Sequence, residues 1–272
     1  MSIIKRIIKC PVCDSAIADS SKCNVCQTLS VREITKNSKR SATYIDFNPD
    51  CSDRSLKLES EQQKDLITQL FGNSYMPWFY EKILPAFWAI GLRGWGGIEK
   101  EALQVRDFFG NKPKIVMDLS CGTGIITRKL AKTGLYQHLI ALDYSESMLK
   151  MLIDRIRIEE TTDLLDLVII RGDARSIPLI SDSVDAIYAG AAMHCWSDPH
   201  KGVKEIYRVL RPGGKIFATT FTKFLFSQFL PSQEIHLLSI EELSSLFQKV
   251  DFNKELLEIS SEGIYLTLKG NK

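Results

Sequence analysis

The sequence predicts an α/β fold: a doubly wound, mostly parallel sheet of seven strands, preceded by a small cysteine-bearing module and a helical segment. Three observations lead there. From Lys114 onward, short apolar runs of β-prone residues alternate with helix-length amphipathic stretches. The first of those runs ends in a glycine-bearing turn, Asp118-Leu-Ser-Cys-Gly-Thr-Gly124. Four of the seven cysteines fall within the first 26 residues.

Bulk numbers narrow the class. At 272 residues the chain suffices for one large domain plus a small one. An apolar share of 44% and a charged share of 25% are those of a soluble globular protein. The net charge of +2 argues against a general commitment to nucleic acid, and residues 1–58 carry only a mild basic excess, ten Lys/Arg against six Asp/Glu. The opening "MSIIKRIIK" is interrupted by Lys5, Arg6 and Lys9, so no signal-peptide core forms, and no apolar run approaches the ~18 residues of a spanning helix. A cytoplasmic, reducing setting is expected, where paired cysteines hold metal more often than they form disulfides.

The first element is Cys10-Pro-Val-Cys13, nine residues, then Cys23-Asn-Val-Cys26. Two such knuckles bring four thiolates to one ion, the closed tetrahedral shell of structural zinc. Four free thiols and a redox Cys-x-x-Cys are the rival readings; the doubled motif at short spacing favours zinc. Four thiolates leave no open coordination position, so the role is folding, not catalysis. Residues 27–57, with Ser-Ala-Thr-Tyr-Ile-Asp-Phe among them, are expected to complete a zinc-ribbon hairpin, giving a module over 1–57.

Residues 58–110 follow as a helical lid or linker, with Leu66, Ile67 and Leu70 on one helix face. This segment concentrates aromatic rings: Tyr75, Trp78, Phe79, Tyr80, Phe87, Trp88 and Trp95. They suit helices packed as a lid, an apolar substrate pocket, or shallow contact with a membrane or lipid particle. Pro77, Glu81, Lys82 and Pro85 exclude a straight span.

The main domain, 111–272, reads as strands at 114–120, 138–144, 167–174, 184–192 and 214–221, separated by helices. A last helix and two closely spaced strands around Ser-Ser-Glu-Gly imply an antiparallel pair at the end. Such a Rossmann-like sheet binds its ligand beyond the carboxyl ends of the strands, beside the first strand, where residues 118–124 lie. Gly122 and Gly124 clear space for a ligand at the backbone. Thr127 stands where a dinucleotide fingerprint wants its third glycine, which disfavours a nicotinamide enzyme. Asp143 ends the second strand, placed to accept from ribose hydroxyls, and Asp173 ends the third, placed toward an adenine amino group. Acidic residues with no phosphate cradle point to an adenosine ligand without phosphates.

The motifs "DLSCGTG", "ALDYSESML", "GDARSIPLISDSVDAI" and "EIYRVLRPGGKI" resemble, in order, those of class I S-adenosylmethionine-dependent methyltransferases, over about residues 114–270. The resemblance implies that Asp118, Ser120, Gly122 and Gly124 surround the methionine part, Asp143 the ribose, Met148 one adenine face, and Asp173 with Ala174 the adenine edge. Tyr144 and Gly190 would complete the cofactor-binding set. With the zinc knuckles and "WGGIEKE", the chain further resembles a cyanobacterial and chloroplast branch whose plant members are plastoglobule-associated. That implies a quinone or prenyl-lipid acceptor.

A sulfonium methyl is already electrophilic, so the protein's task is alignment and exclusion of water, with a base only where the acceptor arrives protonated. His194, after the fourth strand, is the candidate base; lining of the site is the rival role. If strand geometry persists to 195, His194 and Cys195 face opposite sides and form no dyad. His138, His200 and His236 receive no role. The expected activity is methyl transfer to a small, apolar, aromatic or quinone-like acceptor. Two alternatives stay open: an rRNA guanine methyltransferase, whose bacterial examples also carry an N-terminal zinc module, and a non-catalytic S-adenosylmethionine-binding adaptor. Near-neutral charge weighs against RNA.

Overall fold

The computed structural model describes residues 7–9, 30–33, 41–47, 97–159, 166–222, 236–262 and 265–272. The four cysteines of the knuckles and the aromatic segment 75–95 lie outside the described residues.

Nine strands form one sheet among the described residues: β1 (Ser30–Glu33), β2 (Ser41–Asp46), β3 (Ile115–Leu119), β4 (His138–Asp143), β5 (Asp166–Arg171), β6 (Val184–Ala189), β7 (Leu210–Phe221), β8 (Glu258–Glu262) and β9 (Tyr265–Asn271). Their spatial order is β1-β2-β5-β4-β3-β6-β7-β9-β8. Among the described residues the α-helices are α1 (Gly97–Phe109), α2 (Ile125–Lys132), α3 (Glu146–Glu159), α4 (Pro199–Val209) and α5 (Ile240–Gln248).

The seven expected strands sit side by side from β5 to β8, and the β8/β9 pair is antiparallel as anticipated. The sheet is larger than seven because β2 adds in parallel to β5, with Ser41 opposite Asp166 and Asp46 opposite Arg171. Within the span expected to complete a zinc ribbon, β1 pairs antiparallel with β2, and β2 is continuous with the main sheet. The reason lies in its side chains: Tyr44 is buried in the core on one face, Ile45 and Phe47 in the core on the other. A strand apolar on both faces belongs inside a covered parallel sheet. Ile7 and Ile8 join the same core, and Ile8 bridges Leu179.

Two apolar layers flank the sheet. One, with α4 and α5, gathers Met117, Leu119, Ile140, Ile187, Val203 and Phe247; the other, with α1, α2 and α3, gathers Val105, Phe109, Leu130, Leu149, Leu152 and Phe217. Each fully buried Leu or Phe contributes roughly 1.5–3 kcal/mol. Strand β3 is buried at every residue, which explains why its sequence is an unbroken apolar run up to Asp118. Its start is pinned by Asp185 of β6, whose carboxylate accepts from the backbone N–H of Lys114 and Ile115. These constraints hold the carboxyl ends of β3, β4 and β6 at one edge.

Candidate functional site

The turn from β3 into α2 is built from left-handed backbone. Ser120, Gly122 and Gly124 have φ of 59°, 56° and 70°. At Gly124 a β-carbon would stand 2.2 Å from Leu152 Cδ1 of α3, so glycine is required there by helix packing as well as by φ. The turn is anchored sideways: Cys121 N–H donates to Leu142 O of β4 at 3.0 Å. Asp143 Oδ2 accepts from Gly122 N–H at 2.8 Å, while its Oδ1 accepts from Ser145 N–H at 2.8 Å. A carboxylate has about four acceptor positions, and with three backbone N–H groups on Asp143 about one remains for a ligand. Burial raises the Asp143 carboxyl, and the three backbone N–H groups around it oppose that shift.

Asp118 lies under the turn, 1% exposed, and accepts from Thr127 Oγ1 of α2. Burial lifts its carboxyl to about 7, against the Thr127 hydrogen bond and with a push from the charge of Asp143. Thr123 Oγ1, also buried in this turn, has no hydrogen-bond partner among the described residues. Tyr144 follows β4 and is 37% exposed, while Met148 on α3 and Ala174 are buried. Asp173 lies just past the end of β5, and its carboxylate is gripped by the Arg175 guanidinium, Nη2 to Oδ2 at 2.6 Å and Nε to Oδ2 at 2.9 Å. The expected adenine contact at Asp173 therefore competes with an ion pair.

Across the edge, β6 ends at Ala189. Gly190 cannot carry a side chain without displacing Tyr188, whose Oη would be 1.7 Å from the added carbon. Ala191 has φ of 48°, and its N–H donates to Thr219 Oγ1 at 2.9 Å. That bend takes the chain off the sheet into a short 3-10 helix, Met193–Cys195. Strand alternation thus does not reach His194 and Cys195, which correct the expected extension of β6 to 192. His194 Nδ1 is 3.3 Å from Thr220 Oγ1, and its ring meets Phe221 edge-on at 4.8 Å. Burial pulls the imidazole down to about 4. Of the other histidines, His138 Nδ1 pairs with Asp166 at 3.1 Å, and His236 N–H donates to the carbonyl of His194.

Two features escaped the sequence reading. Glu101 of α1, 3% exposed, accepts from Tyr188 Oη at 2.7 Å, Thr219 Oγ1 at 3.0 Å and Tyr265 Oη at 3.1 Å. The available signal was an acid in the buried stripe Glu101, Ala102, Val105 and Phe109. Second, Trp196 Nε1 donates to Ser120 Oγ at 3.0 Å, which sequence spacing does not reveal. Beside this segment opens a cleft of about 840 Å³ between the start of α4 and α5, lined by Arg175, Ser197, Asp198, His236, Leu238 and Glu242 among others.

Residues 117–218 match the family model described as a methyltransferase domain. The match spans β3 to β7, the part of the sheet that carries the turn and Asp143. An uncharacterized chloroplastic methyltransferase of Arabidopsis thaliana is 35% identical over 224 residues, covering 80% of this chain and 62% of that protein. The rice 2-methyl-6-phytyl-1,4-hydroquinone methyltransferase 2, chloroplastic, is 28% identical over 185 residues, 64% of this chain and 49% of that one. The chain thus spans less than two thirds of the length of these relatives. Among solved structures, an S-adenosyl-L-methionine-dependent methyltransferase assignment from Methanococcus maripaludis superposes with a TM-score of 0.58 at 19% identity, over 74% of this chain and 93% of that one. Phosphoethanolamine N-methyltransferase 2 of Haemonchus contortus, in complex with S-adenosyl-L-methionine, gives 0.57 at 20%, over 72% and 45%. At these identities the two structures speak to the fold.

The residues of the turn fit S-adenosyl-L-methionine in their own chemistry: left-handed backbone at 120–124 and the carboxylate of Asp143 beside it suit a nucleoside and an amino-acid group.

Proposed function

We propose that the chain is an S-adenosylmethionine-dependent methyltransferase acting on a small, apolar, aromatic or quinone-like acceptor. The observation that carries the cofactor half is the turn at 120–124 clasped by Asp143 at the carboxyl edge of β3 and β4, the place where such sheets bind nucleosides. Support for the acceptor class comes from the rice and spinach hydroquinone methyltransferases among the relatives.

When bound, S-adenosylmethionine supplies an electrophilic methyl group on its sulfonium. The chain's residues then position and shield. Asp143 and Tyr144 hold the ribose end, with Met148 and Ala174 at the adenine. The bend at Ala191 turns the chain off β6, on the side from which an acceptor would come within the ~3–3.5 Å of a near-attack geometry. His194 with Phe221 forms a wall of that approach. An imidazole whose burial holds it down to about 4 is a poor sink for a phenolic proton. His194 is therefore assigned to lining, and the acceptor's proton leaves to water or departs before binding.

Structural zinc at Cys10, Cys13, Cys23 and Cys26 is proposed on the doubled knuckle spacing alone. Metal analysis of untagged protein should find it at one equivalent; none would end that part of the proposal. Membrane or lipid-particle contact by the aromatic segment is proposed on its composition. No helix among the described residues is long and apolar enough to cross a membrane.

Calorimetry with S-adenosylmethionine tests the cofactor, and absence of binding would remove the main proposal. Methyl-labelled cofactor is then incubated with a membrane-lipid extract and, separately, with total RNA. Label in the lipid fraction is expected; label in RNA would transfer the assignment to nucleic-acid methylation, and label in neither, with binding intact, would favour the adaptor reading.

A further inference from the structure

Three consecutive residues after the 3-10 helix are each tied to a different part of the domain. Trp196 donates its indole N–H to Ser120 of the β3–α2 turn at 3.0 Å. Ser197 Oγ accepts from Arg175 Nη1 at 2.6 Å, and that same guanidinium grips Asp173 beyond β5. Asp198 caps α4 by accepting from Lys201 N–H. The Trp196 ring is fitted to its place: a β-carbon on Gly202 of α4 would lie 2.4 Å from Cε3 of the indole. Ser120 itself sits at φ 59°, where glycine would be unstrained and an L side chain costs energy, so its hydroxyl is retained against backbone preference. The segment holding His194 is thereby fastened both to the loop expected at the methionine end of the cofactor and to the loop expected at the adenine edge.

We propose that Trp196 is a positioning residue that couples cofactor binding at the 120–124 turn to the placement of the acceptor-side segment 190–198, through its hydrogen bond to Ser120. This rests on reading that turn as the S-adenosylmethionine site. A ligand that orders the turn orders the indole, and the indole is two residues from His194. The coupling is reciprocal, as any linkage between two sites must be.

The test is a double-mutant cycle on S-adenosylmethionine affinity, with hydrogen exchange of segment 190–198 as second readout. Trp196→Phe keeps a ring against Gly202 and removes the donor; Ser120→Gly suits the backbone and removes the acceptor. Each should weaken binding by about threefold to tenfold, the range of one neutral hydrogen bond, and the double variant should be no weaker than the worse single one. S-adenosylmethionine should slow exchange of 190–198 in the wild type and not in Trp196→Phe. Unchanged affinity in Trp196→Phe, additive losses, or equal protection in variant and wild type would each overturn the coupling while leaving the cofactor reading intact. If Trp196→Phe does not fold, Ser120→Gly alone decides, by keeping or losing that protection. A wild type that binds no S-adenosylmethionine would take down both.

Discussion

His194 and Asp118 are changed by burial in opposite directions, and each change limits what the residue can do. Burial keeps the imidazole neutral down to about pH 4, so His194 offers shape and a hydrogen bond to Thr220 rather than a useful base. His194→Ala should accordingly leave S-adenosylmethionine affinity unchanged and lower turnover less than about tenfold; a loss of ~10² or more in kcat would reinstate general-base catalysis. Asp118, lifted to about 7, keeps its proton when folded at pH values where the unfolded chain, near 3.8, has lost it. The folded state then binds more protons, so this group's contribution to stability is present below about pH 4 and is lost as pH rises through about 7. In thermal melts, Asp118→Asn should gain on the wild type between about pH 4 and pH 7. A difference in Tm that stays constant over that span would mean an ionised Asp118.

At the scale of elements, α1 is joined to the sheet by chemistry as well as by apolar packing. Glu101 collects hydroxyls from β6, the end of β7 and the start of β9, while Lys215 of β7 caps the far end of the helix by donating to Phe108 O and Phe109 O. Removing one acceptor that serves several buried donors leaves each donor unsatisfied. Glu101→Ala should cost about 2–5 kcal/mol in chemical denaturation, and Glu101→Gln distinctly less; equal losses would reduce Glu101 to packing. The strands were legible because their apolar runs are short, β-branched and evenly separated, as with Ile115–Leu119 and His138–Asp143. The turn at 118–124 and the carboxylate of Asp143 were legible for the same reason, lying where such strands stop. The 3-10 helix at 193–195 was not, because the Ala191 N–H at the bend donates to Thr219 of β7, nearly thirty residues on. The Arg175 grip on Asp173 was likewise hidden: the spacing puts the two side by side, but does not say whether the arginine folds back.

For the whole molecule, the extension of the sheet by β2 makes this strand part of the main sheet and its core. Alternation in "SATYIDF" suits a hairpin equally well, and its parallel partner lies more than a hundred residues away, so no local pattern announces the pairing. Ile45 is buried with Val168 and Ile170 in one core layer. Ile45→Ala should therefore lower the main cooperative unfolding transition by about 2–4 kcal/mol, as a core truncation does. A main transition that stays in place would make β1 and β2 an independent module.

The pairing of β2 with β5 also sets an order of events. A parallel neighbour cannot be recruited until it exists, and here, among the described residues, α1, α2, α3 and two further strands are synthesised between the two partners. During that interval β2 presents an open, apolar edge with its hydrogen-bonding groups unclaimed, the condition in which strands find wrong partners. Closing so large a loop costs chain entropy before any contact repays it, so this edge is expected to be among the slow steps of folding. The strand that enlarges the finished sheet is also the one a nascent chain must protect longest.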